Sequence, residues 1–110
     1  MIIAVAGPYS ASTPAQRQTN LDAMNRAAAL LLKMGHVPLI GVNAALPVLE
    51  SSGDIQNYKA MMDISMALLN SCEALLLLAE SPGANRERDY ILSKGLKVYH
   101  SVDEVPPLRT

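Results

Sequence analysis

The sequence predicts a small α/β protein, a doubly wound parallel sheet with strand order 2-1-3-4 and helices on both faces. Three observations lead there. Strand-length apolar runs alternate with segments of helical spacing, in the order strand, helix, strand, helix, strand, helix, strand, and strands joined by crossover helices pair in parallel. The runs from Ile2 to Ala6 and from Ala74 to Ala79 are continuously apolar rather than alternating, as in strands buried on both faces. The chain has 110 residues, half of them hydrophobic but only 4% aromatic, with no Trp and no Phe. One domain spanning residues 1–110 must therefore build a single core from Leu, Ile, Val, Ala and Met.

Ile2 to Ala6, closed by Gly7-Pro8, is the first strand. Thr13 as N-cap, Pro14 at the first helical position and Gln16 three residues after the cap open the first helix. Leu21, Met24, Ala28, Leu31 and Leu32 carry its apolar spacing, and Gly35 ends it. His36 to Ile40 is the second strand, placed at a sheet edge because Pro38 cannot donate to a ladder. Gly41 to Gly53, with Asn43, Pro47, Ser51 and Ser52, has few periodic cues and reads as a binding loop or lid with room for a short helix. Asp54 then caps a helix to about Ser71 with two apolar stripes, one through Ile55, Tyr58, Met62, Met66 and Leu69, the other through Met61, Ile64 and Leu68. Ala74 to Ala79 is the third strand, Ser81-Pro82-Gly83 opens a helix ending at Gly95, and Lys97 to His100 is the fourth strand. Ser101 to Thr110 reads as a turn followed by a loose end.

Nine Lys plus Arg against ten Asp plus Glu leave a net charge of −1. That removes the basic footprint of a protein that binds nucleic acid or a membrane surface, and the expected partner is a small molecule. Cys72 is the single cysteine and is expected as a buried small hydrophobe. His36 and His100 lack the companions of a metal site, so neither a metal nor a cofactor is expected. No basic segment precedes the first apolar run, and no apolar stretch approaches the roughly 20 residues that span a bilayer. A cytoplasmic protein is expected. The first strand ends in Gly-Pro-Tyr-Ser without Gly-x-Gly-x-x-Gly, which argues against a nicotinamide dehydrogenase.

In the order 2-1-3-4 the winding reverses between strands one and three, and ligands bind outside the carboxyl ends of those strands. The ends are Gly7-Pro8-Tyr9-Ser10 and Glu80-Ser81-Pro82-Gly83. Ser81 at the N-cap, with Pro82 and Gly83 after it, leaves backbone N–H groups pointing out of the helix start, an anion or hydroxyl site. Glu87 lies four residues after Gly83, so it shares a helix face with the space left by the missing side chain. The same pattern also fits a well-capped surface helix with Glu87 in solvent. Arg17 has the charge to neutralise a phosphate, and equally fits a solvated turn.

Met1 to Ser10, Arg17, Asn20, Gly35-His36, the apolar Leu75 to Leu78 and Ser81-Pro82-Gly83-Ala84-Asn85-Arg86-Glu87 together resemble the nucleoside 2-deoxyribosyltransferase superfamily. The chain is also similar to that family's small relatives, the deoxynucleoside 5'-monophosphate N-glycosidases and a group of short bacterial proteins. The resemblance covers nearly the whole chain, and its most specific element is Ser-x-Gly-x-x-x-Glu after an apolar strand. It implies a Rossmann-like fold in which Glu87 attacks the anomeric carbon and forms a glycosyl ester. It implies that Ser81 with Gly83 holds a 5'-hydroxyl or 5'-phosphate and that Tyr9 lies beside the sugar and base. Gly7, Pro8, Ser10, Arg17 and Ala84 are expected at the substrate with them. The family's sites are often completed by a neighbouring subunit, so a homodimer or homotetramer is expected, with the two-striped helix from Asp54 to Ser71 in the interface.

The resemblance departs at one place. The family's proton-transferring Asp lies eight residues before the position occupied by Glu73, and that count falls on Ser65. The nearest carboxylate, Asp63, is two residues upstream and about 200° around a helix. Either the register shifts, Asp63 serves from another angle, or the acid is missing. The expected function is cleavage or exchange of the N-glycosidic bond of a nucleoside or nucleoside 5'-monophosphate, and the alternative is a non-catalytic nucleotide- or sugar-phosphate-binding protein of the same fold.

Overall fold

The computed structural model describes residues 1–108. Strands β1 (Ile2–Ala6), β2 (Val37–Leu39), β3 (Ala74–Leu77) and β4 (Lys97–Tyr99) form one sheet, every pairing parallel, in the order β2-β1-β3-β4. Helices α1 (Pro14–Lys33), α2 (Gly41–Ser52), α3 (Tyr58–Leu69) and α4 (Pro82–Ser93) connect them. This is the predicted α/β architecture and strand order. β2 is an edge strand, the position that Pro38 tolerates.

Alternation along the central strands divides the core into two layers. Ile3, Val5 and Leu76 face Leu21, Met24 and Leu31 of α1, whereas Ala4, Leu75 and Leu77 face Leu69 of α3 and Ala84 and Ile91 of α4. Leu31, Leu75, Leu76 and Ile91 are completely excluded from solvent, each contributing roughly 1.5–3 kcal/mol through burial. Leu32 was expected on the apolar face of α1 but is 62% exposed, because one residue along a helix is a rotation of about 100° and Leu31 already holds the buried line. The predicted start of α1 is observed, with the Thr13 hydroxyl accepting from the Gln16 amide at 3.1 Å.

Three segments differ from expectation. Residues 41–52 form the helix α2 rather than a loop. Its buried positions Gly41, Ala45 and Leu49 recur every fourth residue, a helical spacing masked by a glycine start and an internal Pro47. α3 starts at Tyr58 and not after Asp54, because the Asn57 carbonyl oxygen caps the Ala60 amide at 3.0 Å. α3 packs against both α2 and α4, so two neighbours within the chain accept its apolar stripes. The tail is docked rather than loose as far as Leu108: Val105 is buried, and the Leu108 amide donates to the Met34 carbonyl at 2.9 Å. Arg109 and Thr110 lie outside the described residues. Buried His36 ties the tail to the first strand, with 2.9 Å from Nδ1 to the Met1 amino nitrogen and 2.7 Å from Nε2 to the Pro106 carbonyl. A carbonyl only accepts, so Nε2 carries the proton and Nδ1 receives one from the amine. Among the described residues no helix is long and apolar enough to cross a membrane.

Candidate active site

The carboxyl ends of β1 and β3 open into a cavity of about 390 Å³. The Gly7–Ser10 loop forms one wall, the start of α4 with Ser81, Gly83, Ala84 and Glu87 another, and α3 a third through Tyr58, Met62 and Ser65. The two loop ends that the sequence set at the switch point thus meet across it. Ser81 is the N-cap of α4, its Oγ accepting from the Ala84 amide at 3.1 Å, while the Asn85 amide donates to the Ser81 carbonyl at 2.8 Å. Pro82 has no N–H. The expected set of free amides therefore reduces to one in this first turn, that of Gly83, together with the Ser81 hydroxyl proton and the positive end of the helix dipole. A Cβ on Gly83 would lie 3.4 Å from Met62 Sδ and 3.5 Å from the Tyr58 hydroxyl, so those two atoms bound the space the glycine clears.

Glu87 is half-buried, and desolvation pushes its carboxyl from 4.5 up to about 7. Among the described residues it takes part in no salt bridge. Burial also raises the Cys72 thiol, with smaller contributions from the Glu87 and Glu73 charges. Cys72 is buried as expected.

Ser65 occupies the position where the resemblance places an acid, and it is 4% exposed with its side chain on the cavity wall. A Cβ on Gly41 would run into that side chain and come within 3.0 Å of the Ser65 Cα, so only a glycine lets α2 approach α3 this closely. Asp63, the candidate to serve as the acid from another angle, is exposed and paired with Lys59 at 2.6 Å, and it lines neither this cavity nor the next. Two residues from Ser65 on a helix is nearly the opposite face.

A second cavity, about 420 Å³, lies between the Tyr9–Ser12 loop and the turn before α3. Tyr9, Ser10, Tyr58 and Met61 line both cavities. Arg17, expected near Ser81, lines this second space instead, because its guanidinium turns toward the loop and donates from Nη1 to the Ala11 carbonyl at 2.8 Å. Asn20 donates to the Tyr9 carbonyl at 3.0 Å, so two side chains of α1 pin the loop that carries Tyr9. Sequence reasoning did not place Val42, Tyr58, Met61 or Met62 at the site, having assigned Val42 to a loop and the others to apolar stripes. The excess of apolar faces on α3 was the available signal.

Fold and cavity together define the class, a doubly wound α/β domain with its cavity at the topological switch point. Residues 1–100 match the family described as a domain of unknown function (DUF4406), and the chain belongs to that family. No curated protein matches it.

Proposed function

We propose that the protein cleaves or exchanges the N-glycosidic bond of a nucleoside or nucleoside 5'-monophosphate, with Glu87 as the nucleophile. The observation that carries this reading is Glu87 itself, a half-buried carboxylate with a raised pKa that lines the switch-point cavity together with Gly83 and Tyr9. The resemblance at Ser81, Gly83 and Glu87 supports it. The sugar lies against Gly83 with its 5' end toward Ser81 and the Gly83 amide. Ionised Glu87 forms a bond to the anomeric carbon, the C–N bond breaks, and its electron pair leaves with the base. The departing base takes a proton from water, and water or a second base then takes the sugar from the ester, giving its own proton to solvent and restoring the carboxylate.

One observation favours a pocket that binds without reacting: among the described residues Glu87 is the only carboxylate lining either cavity, so none of them offers a second carboxylic acid to protonate the departing base. A screen for free base released from nucleosides and their 5'-monophosphates separates the two. Glu87→Gln should lower the rate at least ~10²-fold, the scale of removing a catalytic group, and the wild-type rate should climb through pH 7 as the carboxylate ionises. Activity that survives Glu87→Gln removes the nucleophile assignment, and no base release from any compound leaves the binding protein.

A further inference from the structure

The proposed chemistry uses the Glu87 cavity and leaves its neighbour without a role. The two share Tyr9, Ser10, Tyr58 and Met61 and so adjoin across a wall containing two aromatic rings. Their chemistry differs. The carboxylate of the pair is in the first cavity, whereas among the described residues Arg17 is the only charged side chain lining the second, with Ser12, Gln56 and Asn57 around it.

Donors outnumber acceptors there. A guanidinium has five N–H groups, and Arg17 commits Nη1 to the Ala11 carbonyl, an anchor that fixes the head group toward the cavity. Among the described residues no carboxylate pairs with it. Asn57 has its carbonyl oxygen engaged by the Ala60 amide, and its NH₂ has no partner among the described residues. A half-buried, anchored cation without a counter-ion recognises an oxyanion through charge-assisted bonds, and tyrosine rings at the boundary accept a flat ring.

We infer that the second cavity is a subsite for a carboxylate borne on a flat ring, with Arg17 binding the carboxylate and Tyr9 and Tyr58 flanking the ring. The further assignment of that ring as the leaving base, which would make the substrate a nucleoside with a carboxylated base, rests on the glycosidic reading above.

Nicotinate and nicotinamide form a matched pair of probes, nearly equal in shape and differing in charge. In nitrogen-detected magnetic resonance titrations of the full chain, nicotinate should shift the Arg17 Nε and Asn57 side-chain signals saturably and bind roughly tenfold more tightly than nicotinamide. Arg17→Gln should abolish that preference. Asn57→Asp keeps a good N-cap for α3 and replaces the donors with a negative charge, so it should weaken nicotinate and leave nicotinamide unaffected. Equal affinities, shifts confined to Gly83 and Ala84, no saturable shift with nicotinate, or a preference that persists in Arg17→Gln would each overturn the subsite. Failure of base release leaves these titrations unchanged, so the two proposals fail separately.

Discussion

Glu87→Gln should make the protein more stable at pH 8 and leave it unaltered near pH 4. Burial lifts the Glu87 carboxyl from 4.5 to about 7, so between those values the folded chain retains a proton that the unfolded chain has released. Stability then declines as pH rises, at up to about 1.4 kcal/mol per pH unit. Across that interval the loss approaches roughly 3 kcal/mol, a ceiling because water at the cavity mouth relaxes part of the desolvation. Below 4.5 both states are protonated and the contribution vanishes. Gln has nearly the same shape and no titration. Urea unfolding of both proteins at a series of pH values should give a stability difference near zero at the acid end that grows to about 2–3 kcal/mol in favour of Gln by pH 8. A difference that does not vary with pH, or a Gln variant that is the weaker protein at pH 8, would mean that Glu87 is ionised and compensated in the folded chain instead.

The other expectations concern the walls and the assembly. Ser81→Ala removes the cap on the Ala84 amide and should cost about 1 kcal/mol of stability; it should also shrink a preference for a 5'-monophosphate over its nucleoside that we expect to be on the order of 1–3 kcal/mol in the wild type, and equal wild-type affinities by calorimetry would reject the phosphate role. Gly41→Ala gains helix propensity but drives a methyl into Ser65, so it should lower the melting temperature, with a net cost of about 1–3 kcal/mol, and be rescued by Ser65→Gly; a stabilised single variant would show that the contact yields. Val48, Ile55 and Tyr58, on α2, the turn and α3, are 57%, 47% and 47% exposed, and we propose a homodimer or homotetramer that covers them; light scattering at micromolar concentration returning the 11.8 kDa of one chain would rule it out.

Elements with their own punctuation were legible in the sequence. Thr13-Pro14 and Ser81-Pro82 announce α1 and α4 because a capping hydroxyl followed by proline suits a helix start and little else. The unbroken apolar runs of β1 and β3 mark strands covered on both faces. α2 was hidden because Gly41 and Pro47 are residues that isolated helices avoid, and its contacts with α3 outweigh that preference. The start of α3 was ambiguous for a different reason: Asp54 and Asn57 are both good caps, and the chain uses the second. At the site, Ser81, Gly83 and Glu87 were recognisable because they lie within one turn-and-helix unit. Tyr58 and Val42 were not, since their place on the wall depends on which helix ends converge. Nor does a position on α1 reveal toward which loop a side chain as long as that of Arg17 will swing.

α2 has an unusual makeup for a helix in the wall of a cavity. Ile40 provides no side-chain cap, the first turn has no acidic residue and the last no basic one, and Pro47 interrupts the interior. Each missing cap or charge forgoes a fraction of a kcal/mol to about 1 kcal/mol, and an internal proline forfeits a backbone bond at a cost near 3 kcal/mol. α2 is consequently held by its fit against α3 more than by its own ladder, and segments of that kind open locally well before the whole domain unfolds. Val42, in its first turn, is also part of the wall around Glu87. The wall beside that carboxylate is thereby only as rigid as the packing of α2 against α3.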